Sequence, residues 1–168
     1  MLRTTGIWKP AGDNESQKIW MCIAIFCWMG GYKHIEKCVG TYIAAHYRDA
    51  VEVGVGENTD AAQILHEAGV QVRGTDIRDL VQPDWLCFSV DDIFEPDLLK
   101  YEGADVIYAI RPAEEMVPPL IALAQRVNCD LLVYHLGFES YGDGGEHIDC
   151  GVLLHCYHRH QKPSKSVD

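Results

Sequence analysis

A short β-branched segment at 51–53 leads directly into two closely spaced glycines, Gly54 and Gly56. Asn58 and Thr59 follow, and both are residue types that cap the first turn of a helix. A strand, a glycine turn and a helix in this order are typical of the ligand-binding turn of an α/β sheet, because glycine lets the backbone approach a ligand closely. We therefore expect the amides of Gly54 and Gly56 to face a cleft, together with the first turn of the following helix.

An acidic residue follows at a spacing that suits the same ligand. Asp76 lies twenty residues after Gly56 and ends a second strand-like segment at 70–75. A carboxylate at the end of the neighbouring strand can hold the ribose hydroxyls of a nucleotide that lies over the glycines. A structural turn with no ligand would need the same glycines, and that alternative stays open.

The rest of the chain alternates between helix-like and strand-like segments. Periodicity predicts helices at 32–47, 60–68, 95–101 and 113–127, and strands at 50–53, 70–75, 86–90, 104–110, 130–136 and 148–157. Strands that are apolar on both faces and separated by helices indicate a parallel sheet covered on both sides. We predict a single-domain, doubly wound, mostly parallel α/β sheet of the Rossmann type. The last strand should be antiparallel at an edge, because only a loop precedes it.

The two ends of the chain differ from this pattern. Residues 1–30 combine a polar stretch with an apolar run at 19–29, which is shorter than the roughly 20 residues that span a bilayer. We expect a poorly ordered N-terminal extension at 1–30, the Rossmann-type domain at 31–160 and a polar tail at 161–168. Two alternatives stay open: the apolar run can belong to a targeting segment, and Met29 can be the natural first residue.

Charge and cysteine content argue against several classes of partner. The 168 residues carry a formal net charge of -11, whereas a nucleic-acid-binding face needs clustered positive charge. The seven cysteines include no Cys-x-x-Cys pair, which is typical of reduced thiols in the cytoplasm. We expect a cytoplasmic protein with a small, nucleotide-type ligand and without a nucleic-acid or membrane partner. The oligomeric state stays open.

Histidines and cysteines near the C-terminus do not have the spacing of a metal site. The residues are His147, Cys150, His155, Cys156, His158 and His160. Zinc sites usually contain tight ligand pairs, and strand alternation divides these residues between two faces. We therefore predict no metal site. His135, near the end of the fifth strand, can face the cleft as a base, but we favour a buried, hydrogen-bonded histidine.

Glu52 stands two residues before Gly54, and with it the glycine turn resembles motif I of the S-adenosylmethionine-dependent methyltransferases. Asp76 matches the ribose-binding acid of that family, and Asp91-Asp92 stand where it places an acid near the adenine amino group. Asn58 occupies the place of the usual third glycine. The resemblance implies S-adenosylmethionine as cofactor. The implied binding residues are Glu52, Gly54, Gly56, Asn58, Asp76, Ile77, Asp91 and Asp92.

More narrowly, the chain resembles a family of small archaeal Rossmann-type proteins without an established activity. The segments that carry this resemblance are 51–56, 75–78, 91–96 and 108–115. The resemblance therefore implies the fold rather than a reaction.

The loop after the fourth strand departs from the methyltransferase pattern. Where that family often has Asn/Asp-Pro-Pro-Tyr, this chain has Ile110-Arg111-Pro112-Ala113-Glu114-Glu115. We predict Arg111 as a clamp for an acidic substrate and Glu114, or Glu115, as a proton acceptor in methyl transfer to an unknown acceptor. In the alternative, the glutamates favour the first turn of a helix and Arg111 pairs with them.

Two other functions stay open. A non-catalytic nucleotide-binding or scaffold domain is favoured by the small size and by the missing substrate-binding half of a methyltransferase. An NAD-dependent oxidoreductase is disfavoured by Thr59, because the dinucleotide-binding motif has glycine or alanine at that position.

Overall fold

The structure is a computed structural model, and it describes residues 34–137 and 139–161. Within these ranges the chain contributes seven strands to one sheet. They are β1 (Asp49–Val53), β2 (Gln71–Asp76), β3 (Cys87–Val90), β4 (Val106–Ile110), β5 (Asp130–Tyr134), β6 (Glu146–Asp149) and β7 (Leu153–His158). Their order across the sheet is β3-β2-β1-β4-β5-β7-β6, so the glycine turn after β1 lies near the middle.

Strand directions follow the doubly wound pattern. The pairs β1–β2, β2–β3, β1–β4 and β4–β5 are parallel, whereas β7 is antiparallel to both β5 and β6. The first five strands therefore have the 3-2-1-4-5 order of the Rossmann fold. The predicted fold class is confirmed, including the antiparallel pairing at the C-terminal side of the sheet, but the edge strand there is β6 and not the last strand, β7.

Helices cover both faces of the sheet. They are α1 (His34–His46), α2 (Asp60–Glu67) and α3 (Val117–Val127). Ile43 of α1 and Leu65 of α2 pack in one core cluster, and Leu120 of α3 packs in a second. Within β1, Ala50 belongs to the first cluster and Val51 to the second, which explains why this strand is apolar on both faces.

Gly40 in the middle of α1 has a packing reason. A Cβ atom there would lie 3.0 Å from the carbonyl oxygen of Ala61 and 3.1 Å from Cβ of Ile64, both in α2. Helices α1 and α2 therefore approach more closely than a larger side chain would permit. This close approach offsets the unfavourable helix propensity of glycine.

Two predicted elements are wrong in detail. The helix predicted at 95–101 is only a 3-10 turn, Leu98–Lys100, in which the amide of Leu99 donates to the Asp97 side chain. The single strand predicted at 148–157 is a hairpin of β6 and β7. Gly151 has a φ of +96°, and its amide donates to the Asp149 side chain, so the chain turns where the apolar pattern alone predicts continuation.

Helix α3 begins later than predicted. Glu114–Met116 form a 3-10 turn, and the α-helix starts only at Val117. Pro118 and Pro119 lie in the first turn, where a missing amide hydrogen costs no hydrogen bond within the helix.

The predictions for 1–30 concern residues outside the described ranges, as do those for nearly all of the C-terminal tail. Gln161, the last described residue, exchanges hydrogen bonds with the side chain of Asn128 at the end of α3. No helix among the described residues is long and apolar enough to cross a membrane.

Candidate functional site

A cavity of about 190 Å³ opens at the carboxyl ends of β1, β2 and β3. Doubly wound folds bind their ligands at this end of the sheet. Its lining comprises Val53, Gly54, Asp76, Ile77, Asp91, Asp92, Ile93, Phe94 and Met116. The structure thus brings together Gly54, Asp76, Ile77, Asp91 and Asp92 from the predicted set, and it leaves Glu52, Gly56, Asn58, Arg111 and Glu114 outside the lining.

The glycine turn has the predicted backbone but not the predicted amide donors. Gly54 and Gly56 have φ angles of +73° and +60°. The amides of Gly54 and Val55 donate to the carbonyl oxygen of Thr75 at 2.8 and 3.1 Å, and the amide of Gly56 donates to Asp76 Oδ2 at 3.0 Å. The prediction that these amides face a ligand is therefore wrong, because the neighbouring strand β2 already accepts them.

What Gly54 provides is room at the cavity. A Cβ atom on Gly54 would meet only Met116 Cε, at 3.7 Å. A ligand can therefore approach the main chain closely at this position.

Asp76 is buried, and its carboxylate faces the glycine turn. Oδ1 accepts from the backbone amide of Arg78 at 2.9 Å and from its Nε at 3.2 Å, and Oδ2 accepts from Gly56. Burial alone would raise the pKa of Asp76, but these hydrogen bonds and the Arg78 charge outweigh burial and lower it. Asp76 is therefore ionised at neutral pH. Since a carboxylate offers about four acceptor positions, it can still accept a hydroxyl from a ligand.

The two neighbouring acids Asp91 and Asp92 have different roles. Asp91 accepts from Tyr101 Oη at 2.6 Å and from Lys100 Nζ at 2.8 Å. Asp92 Oδ1 accepts only from the amide of Phe94, and its second oxygen has no hydrogen-bond partner among the described residues. Asp92 is thus the member of the pair with more capacity for a ligand donor.

Two apolar side chains are exposed beside these acids. The exposed fraction is 64% for Ile77 and 57% for Phe94, and both line the cavity. Exposed apolar surface around a concave site with a few polar groups is typical of small-molecule binding. Phe94 lies in the segment 91–96 that carries the archaeal resemblance, whereas nothing in the sequence indicates that Met116 reaches Gly54.

Glu52 is not a surface residue of the site. Only 3% of it is exposed, and it accepts a hydrogen bond from Tyr108 Oη at 2.8 Å. Burial raises the pKa of Glu52 to about 8, and the nearby Glu36 carboxylate adds to the effect. Its role is therefore inside the sheet rather than in direct contact with a ligand.

Asn58 is used within the protein. Its Oδ1 accepts from the amide of Asp60 and caps α2, and its Nδ2 donates to Glu36 Oε1 at 3.1 Å. The helix-capping prediction is confirmed for Asn58, whereas Thr59 makes no side-chain cap.

The predicted catalytic residues Arg111 and Glu114 are not among the residues that line the cavity. The Arg111 guanidinium pairs with Glu36 of α1, so the alternative pairing with the two glutamates that follow it is wrong. Glu114 is exposed in the 3-10 turn that precedes α3.

His135 is buried, and its Nε2 lies 2.7 Å from Tyr157 Oη. Burial lowers its pKa, and His155 adds to the shift. The prediction of a buried, hydrogen-bonded histidine is confirmed. No group of three or more histidine, cysteine or acidic side chains within the described ranges is arranged to hold a metal ion.

Fold and site together define a doubly wound α/β protein with a ligand-type cavity at the carboxyl ends of its first three strands. Residues 37–143 match the model of the uncharacterised protein family UPF0146, and the chain belongs to this family. A UPF0146 protein of Archaeoglobus fulgidus is 38% identical over 106 residues, which are 62% of this chain and 78% of that protein. A relative from Pyrococcus horikoshii is 38% identical over 98 residues, 56% of this chain and 75% of the relative. The family prediction is confirmed.

Solved structures with a similar arrangement include S-adenosylmethionine-dependent methyltransferases. Human N-acetylserotonin methyltransferase in complex with its methyl donor has a TM-score of 0.47 and 16% identity, covering 70% of this chain and 36% of that one. A methyltransferase from Archaeoglobus fulgidus has a TM-score of 0.47 and 15% identity, covering 72% of this chain and 60% of that one. This chain thus spans less than two thirds of either enzyme, and its fold assignment depends on the strand order and pairing.

Proposed function

We propose that the chain binds S-adenosylmethionine, or a related adenosyl ligand, in the cavity at the carboxyl ends of β1, β2 and β3. The observation that carries this proposal is the convergence of an ionised Asp76, an available Asp92 oxygen and the exposed side chains of Ile77 and Phe94. In the proposed complex the base lies between the two apolar side chains. Asp92 accepts from its amino group, and Asp76 accepts from a ribose hydroxyl.

The size of the cavity sets how much of the ligand it holds. Ligand clefts usually measure about 300–1,000 Å³, and this one measures about 190 Å³. In the proposal it therefore holds the base and sugar. The rest of the ligand passes over Gly54, where the absence of a side chain leaves room.

The glycine turn favours an adenosyl ligand over a dinucleotide. A pyrophosphate is usually bound by backbone amides of the glycine turn and by the helix N-terminus. Here the amides of Gly54 and Gly56 donate within the protein, and that of Asp60 donates to Asn58. The sugar and base contacts do not depend on these amides.

Methyl transfer to an unknown acceptor is the reaction that we propose for the bound donor. A sulfonium methyl group is already activated, so alignment of the acceptor supplies much of the acceleration. The alternative is a binding domain without catalysis, and it is favoured by the position of Arg111 and Glu114 outside the cavity. The described cysteines are free thiols, which fits the cytoplasm as the proposed compartment.

Isothermal titration calorimetry with S-adenosylmethionine, S-adenosylhomocysteine and NAD tests the proposal. We expect binding of the two adenosyl ligands, no comparable binding of NAD, and a loss of affinity of at least about tenfold in Asp76→Ala, since a charged hydrogen bond is lost. The exposed Asp79 lies in the same loop, and Asp79→Ala is the matched control.

If neither adenosyl ligand binds, or if the Asp76 and Asp79 variants behave alike, the proposal is wrong. Formation of S-adenosylhomocysteine in the presence of cell-extract fractions separates the two functions. Turnover supports methyl transfer, and binding without turnover supports the non-catalytic domain.

A further inference from the structure

Arg111 has a backbone conformation that few residues other than glycine adopt. Its φ angle is +56°, in the left-handed region, and it directly follows β4. Its amide donates to the carbonyl oxygen of Tyr134 at 2.7 Å, so the position is fixed between the ends of β4 and β5. Backbone outliers of this kind cluster at ligand sites, where the surrounding structure maintains them.

The Arg111 side chain has more donors than partners. A guanidinium carries five N–H donors, and Glu36 is its one ion-pair or hydrogen-bond partner among the described residues, through Nη2. The exposed fraction of the Arg111 side chain is 37%, whereas that of Glu36 is 4%. Glu36 therefore holds the guanidinium from the buried side and leaves part of its fork accessible.

Glu36 is itself fixed. Its Oε1 also accepts from Asn58 Nδ2 at 3.1 Å, and Asn58 caps the helix that follows the glycine turn. The orientation of Arg111 is thus coupled to the glycine turn through two side chains. The neighbouring Glu52 adds no charge at neutral pH, because burial raises its pKa to about 8.

The sheet register places Arg111 next to the proposed ligand path. Glu52 of β1 pairs with Tyr108 of β4. Gly54 directly follows β1 and Arg111 directly follows β4, so both residues lie at the carboxyl ends of these adjacent parallel strands. A ligand whose base lies in the cavity and whose tail passes over Gly54 therefore extends toward the end of β4, which Arg111 directly follows.

We propose that Arg111 receives an anionic group, a carboxylate, at this end of the sheet, and that Glu36 is the residue that positions it. The inference rests on the proposed adenosyl ligand. Arginine binds carboxylates through two parallel N–H donors, and a fixed fork loses little entropy when it does so. The net charge of -11 repels an anionic group, and an oriented cation at the binding position offsets that repulsion locally.

Two sources can supply the carboxylate: the amino-acid tail of the adenosyl ligand, or a separate acidic acceptor. The first arm of the test compares S-adenosylhomocysteine, which has the tail, with 5′-methylthioadenosine, which lacks it. We expect the wild-type chain to prefer the former by at least about tenfold. Arg111→Gln should remove that preference and leave the affinity for 5′-methylthioadenosine unchanged.

The second arm titrates citrate into protein saturated with S-adenosylhomocysteine. The carboxylate belongs to a separate molecule if Arg111→Gln abolishes citrate binding but leaves the preference for S-adenosylhomocysteine over 5′-methylthioadenosine unchanged. If both ligands bind, and Arg111→Gln changes neither arm, the inference is overturned while the proposed function stands. If neither adenosyl ligand binds, both proposals fail.

Variants control for folding and for bulk charge. Arg111→Gln leaves Glu36 as a buried charge without its cation, so the double variant Glu36→Gln/Arg111→Gln, which removes both charges, is measured beside it. Arg126→Gln removes an exposed arginine on α3 and should leave all affinities unchanged. Glu36→Gln alone should lower the affinity for S-adenosylhomocysteine and leave the affinity for 5′-methylthioadenosine unchanged. Equal weakening of both ligands would contradict its positioning role.

Discussion

The two ends of the sheet both contain acidic side chains, but they differ in the partners of those acids and in the apolar side chains beside them. At the amino ends of the strands, the larger cleft measures about 710 Å³ and is lined by residues such as Tyr47, Asp105 and Asp130. At the carboxyl ends, the cavity measures about 190 Å³. Volume alone would therefore select the amino ends as the site.

The acids of the amino ends connect separate chain segments within the protein. Asp105 accepts from the amides of Arg48 and Asp49, which ties the start of β4 to the start of β1. Asp130 accepts from Tyr47 Oη and from Arg159 Nη1, each at 2.8 Å. These contacts join the chain segments that enter the sheet, so this end serves stability.

The carboxyl ends are different because partly satisfied polar groups there lie beside exposed apolar side chains. Asp92 retains an oxygen and Arg111 retains donors, and Ile77 and Phe94 expose apolar surface beside them. Incomplete hydrogen bonding at a concave, partly apolar surface is therefore the better indicator of the site here. Each variant below tests this contrast.

The largest expected effect concerns Glu52, a buried acid without a cation as partner. Its pKa is raised to about 8 in the folded chain, against about 4.3 when unfolded. Between these values the folded state holds a proton that the unfolded state releases, so the free energy of unfolding falls as pH rises and levels off above about 8. Relative to Glu52→Gln, wild type should lose up to about 4 kcal/mol between about pH 5 and 8.5.

Urea denaturation of both proteins across this pH range measures that difference. Parallel pH profiles would show that Glu52 is not protonated in the folded chain. Glu52 would then be ionised in the folded chain, as Asp130 is.

Removal of the Asp130 carboxylate should lower the free energy of unfolding and leave the affinity for the ligand unchanged. Asp130→Ala leaves the Tyr47 hydroxyl and Arg159 without their acceptor, so we expect a loss of about 3 kcal/mol in the free energy of unfolding. The affinity for S-adenosylhomocysteine should stay within about twofold of wild type in calorimetry. Asp84→Ala, at an exposed acid, is the control for loss of one negative charge. A strong loss of affinity in Asp130→Ala would break the contrast between the two ends.

The smallest effect is expected from Phe94→Ala. In contrast to Asp130→Ala, this variant should lower the affinity for the ligand and leave stability nearly unchanged. Because 57% of Phe94 is exposed, Phe94→Ala should change the free energy of unfolding by no more than about 0.5 kcal/mol. The affinity for S-adenosylhomocysteine should fall about tenfold, since the base loses an aromatic contact. Val81 is fully exposed away from the cavity, and Val81→Ala should change neither quantity. Equal affinities of the two variants would argue against base binding beside Phe94.

Local patterns predicted what depends on nearby sequence. A strand, two glycines and an acid twenty residues later suffice to bring Gly56 and Asp76 into contact, because the parallel pairing of β1 and β2 follows from one short crossover. Both glycines have positive φ angles, which other residues rarely adopt, so the residue type at these positions fits the turn.

Contacts between distant segments could not be predicted in this way. Glu36 and Arg111 are 75 residues apart, and their pairing requires α1 to pack beside the end of β4. Asp91 and Asp92 look equivalent in sequence, and only the approach of Lys100 and Tyr101 separates them. The amide of Gly54 looks available to a ligand in the sequence, because the sequence does not reveal that the Thr75 carbonyl accepts it.

Strand β7 fills the space between β5 and β6 although it is made after both. Until its residues have left the ribosome, β6 has no neighbour and the outer edge of β5 stays open. That edge belongs to an apolar strand, and an unpaired apolar edge invites pairing with another nascent chain. Pairing of β7 with β5 and β6 therefore closes that edge within the domain itself.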